Sequence, residues 1–248
     1  MSNSSNPTII VPARLASVRF PRKLVANADG KPLIIRTAER ISSEVPEYDL
    51  FFAVDGEELK ELLETNGFDA ILTPSDLPSG TDRIATANKK LNRTKIINVQ
   101  ADEPLVTRDQ ILSLSKLICE EDNCISTLAC EFETEEDYKD PNQVKVVIDK
   151  NCNALYFSRS PIPFYREDNL SWSKKTNVST PLKHIGMYGY DKKFLNYFLN
   201  SKEGELENVE KLEQLRALQN GYKIAVKVVE SHSVGIDIPA DLEKVKFV

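Results

Sequence analysis

Short apolar runs alternate with stretches of helical period through the first half of the chain. The apolar runs predict strands at 8–11, 50–54, 70–72 and 95–99. The helix-period stretches predict helices at 32–41, 57–65, 82–91 and 111–118, and Thr107 with Gln110 forms a capping-box pattern ahead of the last one. Strands that alternate with helices in this way predict an α/β fold with a mostly parallel central sheet flanked by helices.

The pattern changes after about residue 124. Apolar runs at 125–128, 144–148, 154–157 and 184–190 predict strands with little helix between them. A helix at 209–218, a strand at 224–228 and a short helix from Ala240 are predicted to close the chain. We therefore expect a single domain over residues 1–248, with a mixed sheet or a smaller protruding lobe within 124–190. The segment 167–181 is rich in Ser, Lys, Asn and Thr and is predicted to be a mobile loop.

Composition narrows the class of protein. The chain of 248 residues has a formal net charge of −6, which argues against nonspecific nucleic-acid binding because that mode needs a broad basic face. The sequence lacks a run of about 18 apolar residues and a signal-peptide pattern, so we expect a cytoplasmic protein without membrane insertion. The four cysteines lack the spacing of a metal site, and buried free thiols are expected.

Four basic residues follow the first predicted strand. Arg14, Arg19, Arg22 and Lys23 precede the first acidic residue, Asp29. Ligands of open α/β sheets bind beyond the carboxyl ends of the strands. Because this segment lies there and carries four basic residues, it is suited to binding a polyphosphate. A solvated basic loop is the alternative. The glycine pattern of a dinucleotide site and the Gly-Lys-Ser/Thr ending of a P-loop are both absent from the sequence.

Two aspartates in distant segments are candidate metal ligands. Asp102 follows the predicted strand 95–99, and Asp237 lies between two isoleucines ahead of Pro239. Taken alone, each aspartate is more typical of a turn or a helix cap. Together they could hold Mg²⁺, which favours one or two protein carboxylates with phosphate oxygens and water.

An ordered set of segments resembles the 3-deoxy-manno-octulosonate cytidylyltransferases, or CMP-Kdo synthetases. The set spans Ile9 to Leu242 and includes VPAR at 11–14, SGTDR at 79–83, DEP at 102–104, YFSR at 156–159, HIG at 184–186 and EKLEQLR at 210–216. The resemblance implies a nucleotide-diphospho-sugar transferase fold with a smaller mixed dimerisation lobe, a homodimer and dependence on Mg²⁺. It also implies transfer of CMP from CTP to a Kdo-type 3-deoxy-octulosonate, with release of pyrophosphate, for lipopolysaccharide synthesis.

The same resemblance implies roles for individual residues. The implied contacts to CTP come from Arg14, Arg19, Lys23, Ser79, Gly80 and Thr81. The implied Mg²⁺ ligands are Asp102 and Asp237, which form the catalytic set together with Lys23. The implied sugar-acid contacts come from Gln100, Arg159, His184, Glu213 and Gln214.

Residue chemistry alone leaves several of these roles open. Arg159 fits a structural ion pair as well as it fits a sugar carboxylate. A lone histidine such as His184 is more often a hydrogen-bonded core residue. Glu213 and Gln214 lie beside two leucines on the predicted helix, so a solvated position for one of them is the alternative to ligand binding.

Four residues depart from the family pattern close to the expected ligands. Arg22 and Ala101 stand where glycine is usual, Ile238 where threonine is usual, and Pro78 lies in a segment that commonly contains a histidine. These changes leave open a related acceptor such as 8-amino-Kdo. Three rival functions are a cytidylyltransferase for a nine-carbon sialic-type acid, a non-catalytic relative that binds nucleotide sugars, and a nicotinamide oxidoreductase, which would need the missing glycine pattern.

Overall fold

A computed structural model describes residues 6–17, 20–166, 180–230, 235–236 and 239–245. Within these ranges the strands are β1 (Thr8–Ala13), β2 (Asn27–Ala28), β3 (Lys31–Pro32), β4 (Leu50–Val54), β5 (Asp69–Leu72), β6 (Lys95–Asn98), β7 (Ile125–Glu131), β8 (Lys145–Ile148), β9 (Ala154–Ser158), β10 (Leu182–Asp191) and β11 (Ala225–Val228). The helices are α1 (Leu33–Glu44), α2 (Glu57–Thr65), α3 (Gly80–Leu91), α4 (Arg108–Cys119), α5 (Glu135–Lys139), α6 (Lys192–Asn200), α7 (Glu205–Glu210), α8 (Gln214–Gln219) and α9 (Pro239–Lys244), with a short 3-10 helix at Lys23–Val25.

One large sheet joins both halves of the chain. Its strand order is β11-β7-β10-β6-β1-β4-β5, with β8 paired to β10 and β9 paired to β8. Strands β5, β4, β1 and β6 are mutually parallel, whereas β10 runs antiparallel between β6 and β7. The predicted α/β fold with a central sheet flanked by helices is confirmed, and the second half of the sheet is mixed. A separate lobe within 124–190 stays a prediction.

Both faces of the sheet are covered by helices. Ile9 and Val11 of β1 pack in a core layer with apolar residues of α1, α2 and α4. Ile10, which lies between them, packs in a second layer with residues of α3 and α6. Successive side chains of a strand point to opposite faces, so an unbroken apolar run is the sequence expected of a strand buried on both sides.

The predicted helix 209–218 is wrong, because the chain forms two short helices there. Lys211 adopts the left-handed conformation with φ 53° and separates α7 from α8. The break allows Arg216 on α8 to donate to the Glu207 carboxylate on α7, with an Nε to Oε2 distance of 2.7 Å. In one continuous helix these residues would be about 13 Å apart along the axis. The buried ion pair therefore depends on the turn.

The expectation for the cysteines is corrected, and most of the loop expected at 167–181 lies outside the described residues. Buried thiols were expected, yet Cys119 and Cys152 are exposed, Cys124 is half-buried and only Cys130 of the four is buried; all four are free. Most of the expected mobile loop, residues 167–179, lies outside the described ranges. Among the helices that the structure describes, none combines the length and apolar character needed to cross a bilayer.

Gly189 on β10 is packed too tightly for a side chain. A Cβ built there would lie 2.8 Å from Ile118 Cβ on α4 and would also collide with Ser126 Oγ on β7. We expect Gly189→Ala to lower the free energy of unfolding by about 1–3 kcal/mol, because overpacking displaces the helix or the strand. Urea denaturation measures this change.

The matched control is Gly186→Ala on the same strand, where the nearest atom to a built Cβ is 4.0 Å away. Its unfolding midpoint should stay close to that of the unmodified protein. An equal loss in both variants would mean that the strand tolerates no side chain at either glycine, and that the contact with Ile118 is not the cause.

Candidate active site

A cavity of ≈ 360 Å³ opens beyond the carboxyl ends of β1 and β6. This volume lies within the range of small-molecule sites, about 300–1,000 Å³. The lining residues that the structure describes are Pro12, Ala13, Arg14, Ala16, Ser17, Lys23, Leu24, Leu77, Pro78, Ser79, Gly80, Arg83, Gln100, Ala101 and Asp102. The lining thus combines the basic segment after β1, the start of α3 and the segment after β6.

The turn after β1 is anchored by a carboxylate on the neighbouring strand. The backbone N–H of Leu15 donates to both oxygens of Asp55, at 3.2 and 3.1 Å. Asp55 directly follows β4, which pairs in parallel with β1. The anchor fixes the direction of the backbone at Arg14, whose side chain is exposed and lines the cavity.

Lys23 and Asp102 meet on the cavity wall. The Lys23 ammonium forms an ion pair with the Asp102 carboxylate and also donates to the backbone oxygen of Ile236 at 2.7 Å. The structure therefore brings together a residue expected to bind phosphate and a residue expected to bind Mg²⁺. Ile236 belongs to the segment that precedes Asp237, although Asp237 itself and Arg19 lie outside the described residues.

The amino end of α3 forms another side of the cavity. Ser79 caps this helix by accepting from the backbone N–H of Asp82 at 3.1 Å, and both Ser79 and Gly80 line the cavity. The dipole of a twelve-residue helix and its free N–H groups favour a negatively charged ligand at this end.

Arg83, one turn into α3, adds a buried guanidinium to the wall. Its Nη1 donates to Thr73 Oγ1 at 2.6 Å and to the Pro74 oxygen at 3.1 Å. Burial lowers the pKa of this arginine, and the Asp55 carboxylate opposes that change. The cavity is therefore cationic on two sides, as an anionic ligand requires.

Thr81 does not line the cavity with its neighbours. Its side chain is buried and donates to Glu213 Oε1 at 2.7 Å. Glu213 precedes α8 and is half-buried, and burial raises the pKa of its carboxyl group. The next residue, Gln214, is buried with its Nε2 lacking a hydrogen-bond partner among the described residues. The structure thus joins Thr81 to the expected sugar residues and separates its hydroxyl from the cavity wall.

Gln100 follows the end of β6, and His184 lies on β10, the strand that pairs with β6. Gln100 follows β6, lines the cavity and donates to the Gly186 oxygen on β10 at 3.1 Å. His184 on β10 packs edge-on against Phe157, and its Nε2 lies 3.1 Å from Thr127 Oγ1. Burial lowers the pKa of His184 to about 3, so the imidazole is neutral at pH 7.

Arg159 lies away from the cavity wall and caps α7. Its guanidinium donates to the backbone oxygens of Glu210 at 2.7 Å and Pro141 at 3.0 Å. Its backbone N–H donates to Glu210 Oε2 at 2.9 Å. A cation at a helix carboxyl end satisfies the last carbonyl groups of the helix. In this conformation the guanidinium is occupied by backbone, and the structure does not bring it to Gln100 or Lys23.

The donor atoms on the cavity wall decide whether the expected Mg²⁺ fits. Among the described residues, no three His, Cys, Asp or Glu side chains gather into a metal-binding group. Mg²⁺ needs only one or two carboxylates when phosphate oxygens complete its shell. Asp102, half-buried on the wall of a cationic cavity, fits that requirement.

Comparisons with known proteins agree over nearly the whole chain. A sequence model of the family described as cytidylyltransferase matches residues 8–224. The 3-deoxy-manno-octulosonate cytidylyltransferase of Thermodesulfovibrio yellowstonii is 46% identical over 242 residues, covering 94% of each chain. That of Francisella tularensis subsp. novicida is 41% identical over 248 residues, covering 98% of each. A solved structure of CMP:2-keto-3-deoxy-manno-octonic acid synthetase complexed with CTP aligns with a TM-score of 0.87 at 33% identity, covering 97% of this chain and 96% of the other.

The chain belongs to the 3-deoxy-manno-octulosonate cytidylyltransferase family.

Two residues of this cytidylyltransferase were missed as site residues from its sequence. Arg83 is part of the SGTDR segment, and its buried position on the cavity wall shows that it belongs to the site. Asp55 acts through the backbone of Leu15, and a contact between residues 40 apart leaves no local pattern. The signal for Arg83 was available, since it lies one helical turn after the cap.

Three of the four unusual residues of this cytidylyltransferase can be located. Arg22 has φ 58°, a conformation that favours glycine, and its guanidinium forms an ion pair with Glu58 on α2. Ala101 is buried and lies outside the left-handed region, so its methyl group is accommodated. Pro78 lies on the cavity wall, and Ile238 lies outside the described residues.

The buried carboxyl group of Glu103, next to Asp102 in the sequence, predicts that the stability of the protein depends on pH. Its carboxyl group is buried with Oε2 lacking a partner in the described part of the chain, and burial raises its pKa to about 8. The unfolded chain loses this proton above about pH 4.3, whereas the folded state keeps it up to about pH 8. The contribution of Glu103 to the free energy of unfolding therefore decreases as pH rises through this range. We expect Glu103→Gln to gain stability over the unmodified protein as pH rises from 5 to 8, measured by urea denaturation.

The exposed Glu121→Gln serves as the control, and its difference from the unmodified protein should not change in this way. If the Glu103→Gln difference is the same at pH 5 and pH 8, the buried carboxyl group does not hold a proton in the folded state.

Proposed function

We propose that this protein transfers the cytidylyl group of CTP to 3-deoxy-manno-octulosonate and releases pyrophosphate. The observation that carries the proposal is a cavity lined by Lys23, Arg83, the amino end of α3 and the Asp102 carboxylate, which is paired with Lys23. This arrangement presents cations and N–H groups to a polyphosphate and keeps an acidic group beside it. The names of the relatives supply the nucleotide and the sugar acid.

The reaction requires charge stabilisation and positioning, without a protein nucleophile. The anomeric hydroxyl of the sugar acid attacks the α-phosphorus of CTP and releases its proton to solvent, a new P–O bond forms, and the P–O bond that links the α-phosphorus to the β-phosphate breaks. Negative charge accumulates on the departing pyrophosphate, where the Lys23 ammonium and the Arg14 guanidinium can neutralise it. Gln100 and Glu213 carry the hydrogen-bonding groups suited to the hydroxyls of the sugar.

Asp102 would hold Mg²⁺ together with Asp237 and the phosphate oxygens of CTP. The ion, when bound, supplies Lewis-acid stabilisation of phosphate charge and lowers the pKa of a coordinated hydroxyl. Lys23 must then exchange its contact with Asp102 for one with phosphate. A lysine on a flexible stem can make that exchange with little movement of the backbone.

Location and assembly belong to the same proposal. We place the enzyme in the cytoplasm, where it would supply the activated sugar for lipopolysaccharide synthesis, and we propose that it is a homodimer. The proposal of a homodimer follows the family resemblance, and the exposed apolar side chains of Leu155 (62% exposed), Phe164 (86%) and Val209 (81%) are available for burial by a second copy.

Pyrophosphate release from the purified protein with Mg²⁺ and CTP tests the reaction directly. We expect release with 3-deoxy-manno-octulosonate and less with 8-amino-Kdo or a sialic acid as acceptor. Preference for the 8-amino sugar would correct the acceptor and keep the reaction. Absence of pyrophosphate release with all three acceptors would contradict the proposed function.

Asp102→Asn tests the role of the carboxylate on the cavity wall. We expect kcat to fall by about 10²-fold or more, because the amide cannot replace a charged ligand of Mg²⁺. Steady-state kinetics over a range of Mg²⁺ concentrations measures the loss. The exposed Asp69→Asn is the matched control and should retain full activity. Near-normal kcat in Asp102→Asn would remove Asp102 from the metal site.

A further inference from the structure

Three side chains from three different elements form a continuous hydrogen-bond chain behind the cavity. The Tyr190 hydroxyl on β10 lies 3.1 Å from Thr81 Oγ1 on α3. Thr81 Oγ1 lies 2.7 Å from Glu213 Oε1, at the start of α8. Ser79, which lines the cavity, also hydrogen-bonds the Glu213 carboxyl group, so the three side chains connect the interior of the protein with a carboxylate beside the site.

The chemistry of the three groups fixes the direction of the hydrogen bonds. A threonine hydroxyl has one proton, and an ionised carboxylate can only accept. Thr81 therefore donates to Glu213, which leaves its oxygen able to accept from the Tyr190 hydroxyl. The tyrosine hydroxyl in this way determines the orientation of the threonine proton, which points at the carboxylate.

Tyr190 itself is held in place by packing. Its ring stacks on Tyr188 with centroids 5.6 Å apart and planes at 6°, and on Phe194 at 5.8 Å and 13°. Tyr190 is 2% exposed and Thr81 is 1% exposed. Water therefore has little access to the two hydroxyls, and neither side chain has room to rotate away from its partner.

The groups around Glu213 act in opposite directions on the pKa of its carboxyl group. Burial raises the pKa of Glu213, and hydrogen bonds from Thr81 and then Ser79 act in the opposite direction. The charged and titratable groups facing the carboxyl are Asp82 on α3, which also raises the pKa, Arg216 on α8, which lowers it, and the hydroxyls of Tyr188 and Tyr190 on β10. The donor from Thr81 thus favours the ionised form that accepts hydrogen bonds from a polyhydroxy substrate.

We propose that Thr81 and Tyr190 are positioning residues for the sugar acid, acting through the Glu213 carboxylate and not through contact with CTP. The inference rests on the proposed function, because it assigns Glu213 to the acceptor side of that reaction. It also replaces the cytidine contact that family resemblance implies for Thr81.

Thr81→Val and Thr81→Ser separate the hydroxyl from the shape of the side chain. Valine keeps the branched shape and loses the donor, whereas serine keeps the donor and loses a methyl group. We expect Thr81→Val to raise KM for 3-deoxy-manno-octulosonate roughly tenfold, the usual size of one hydrogen bond to a charged group, with KM for CTP unchanged. Thr81→Ser should restore most of the affinity. A rise in KM for CTP instead would overturn the proposal in favour of the cytidine contact.

Tyr190→Phe tests the second link. Its effect on KM for the sugar acid should be smaller than that of Thr81→Val and of the same kind. Because Tyr190 acts only through Thr81, the double variant should match Thr81→Val alone. The control is Tyr197→Phe, on α6 in the same aromatic cluster, which should leave both KM values unchanged. Additive effects of the two substitutions would show that Tyr190 acts by another route, and would contradict the proposed hydrogen-bond series from Tyr190 through Thr81 to Glu213.

The pH dependence gives a readout that packing damage alone would not produce. Loss of the donor raises the pKa of Glu213, so the acidic limb of kcat/KM for the sugar acid should move to higher pH in Thr81→Val and return in Thr81→Ser. An unmoved limb would contradict the proposal. If Thr81→Val does not fold, Tyr190→Phe alone carries the test, with a smaller rise in KM for the sugar acid and a smaller shift of the acidic limb in the same direction.

Failure of this inference can be told apart from failure of the proposed function. If the unmodified protein releases no pyrophosphate with any acceptor, the proposed function fails first. If the unmodified protein is active and the variants keep its KM for the sugar acid, only the positioning role fails.

Discussion

Parallel pairing of β1 with β6 is the constraint on which the rest of the site depends. The register places Ile10 beside Asn98, so both strands end at the same edge of the sheet. Lys23 and Asp102 are 79 residues apart in the sequence, yet each follows one of these two strands and they form an ion pair. A partly exposed ion pair contributes little stability. The ion pair instead marks the place where the sheet brings a cation and a carboxylate together. The start of α3 lines the same cavity.

Much of the architecture could be predicted from sequence because the first half of the chain carries strong periodic signals. The apolar run at 8–11 and the helix-period stretch at 57–65 correspond to β1 and α2. The capping box at Thr107 and Gln110 is present in the structure with both of its hydrogen bonds. Loops gave less information, because the directions of Arg14 and Lys23 depend on contacts with Asp55 and Ile236 that are distant in sequence.

The parts that could not be predicted share a physical cause. The break at Lys211 accompanies tertiary contacts of Arg159 and Arg216 that a continuous helix could not make, and these contacts outweigh the helical period of the local sequence. The direction of the Thr81 side chain is set in the same way by the helix, because successive helix residues point in different directions and Thr81 faces the core. By contrast α6 was overlooked although its signals are local, with Asp191 capping it and Phe194, Leu195 and Phe198 forming its apolar face.

The positions of the unusual residues indicate which substrate each of them could affect. Arg22 lies next to Lys23, Pro78 next to Ser79, and Ala101 between Gln100 and Asp102, so the three that the structure describes adjoin mainly residues expected to bind nucleotide and metal. None of the three coincides with Gln100, His184, Glu213 or Gln214, whose side chains carry the hydrogen bonds expected for the sugar. Discrimination between sugars that differ in one polar group depends on whether buried donors and acceptors stay paired. The departures should therefore alter affinity for CTP and Mg²⁺ more than the preference for one octulosonate over another.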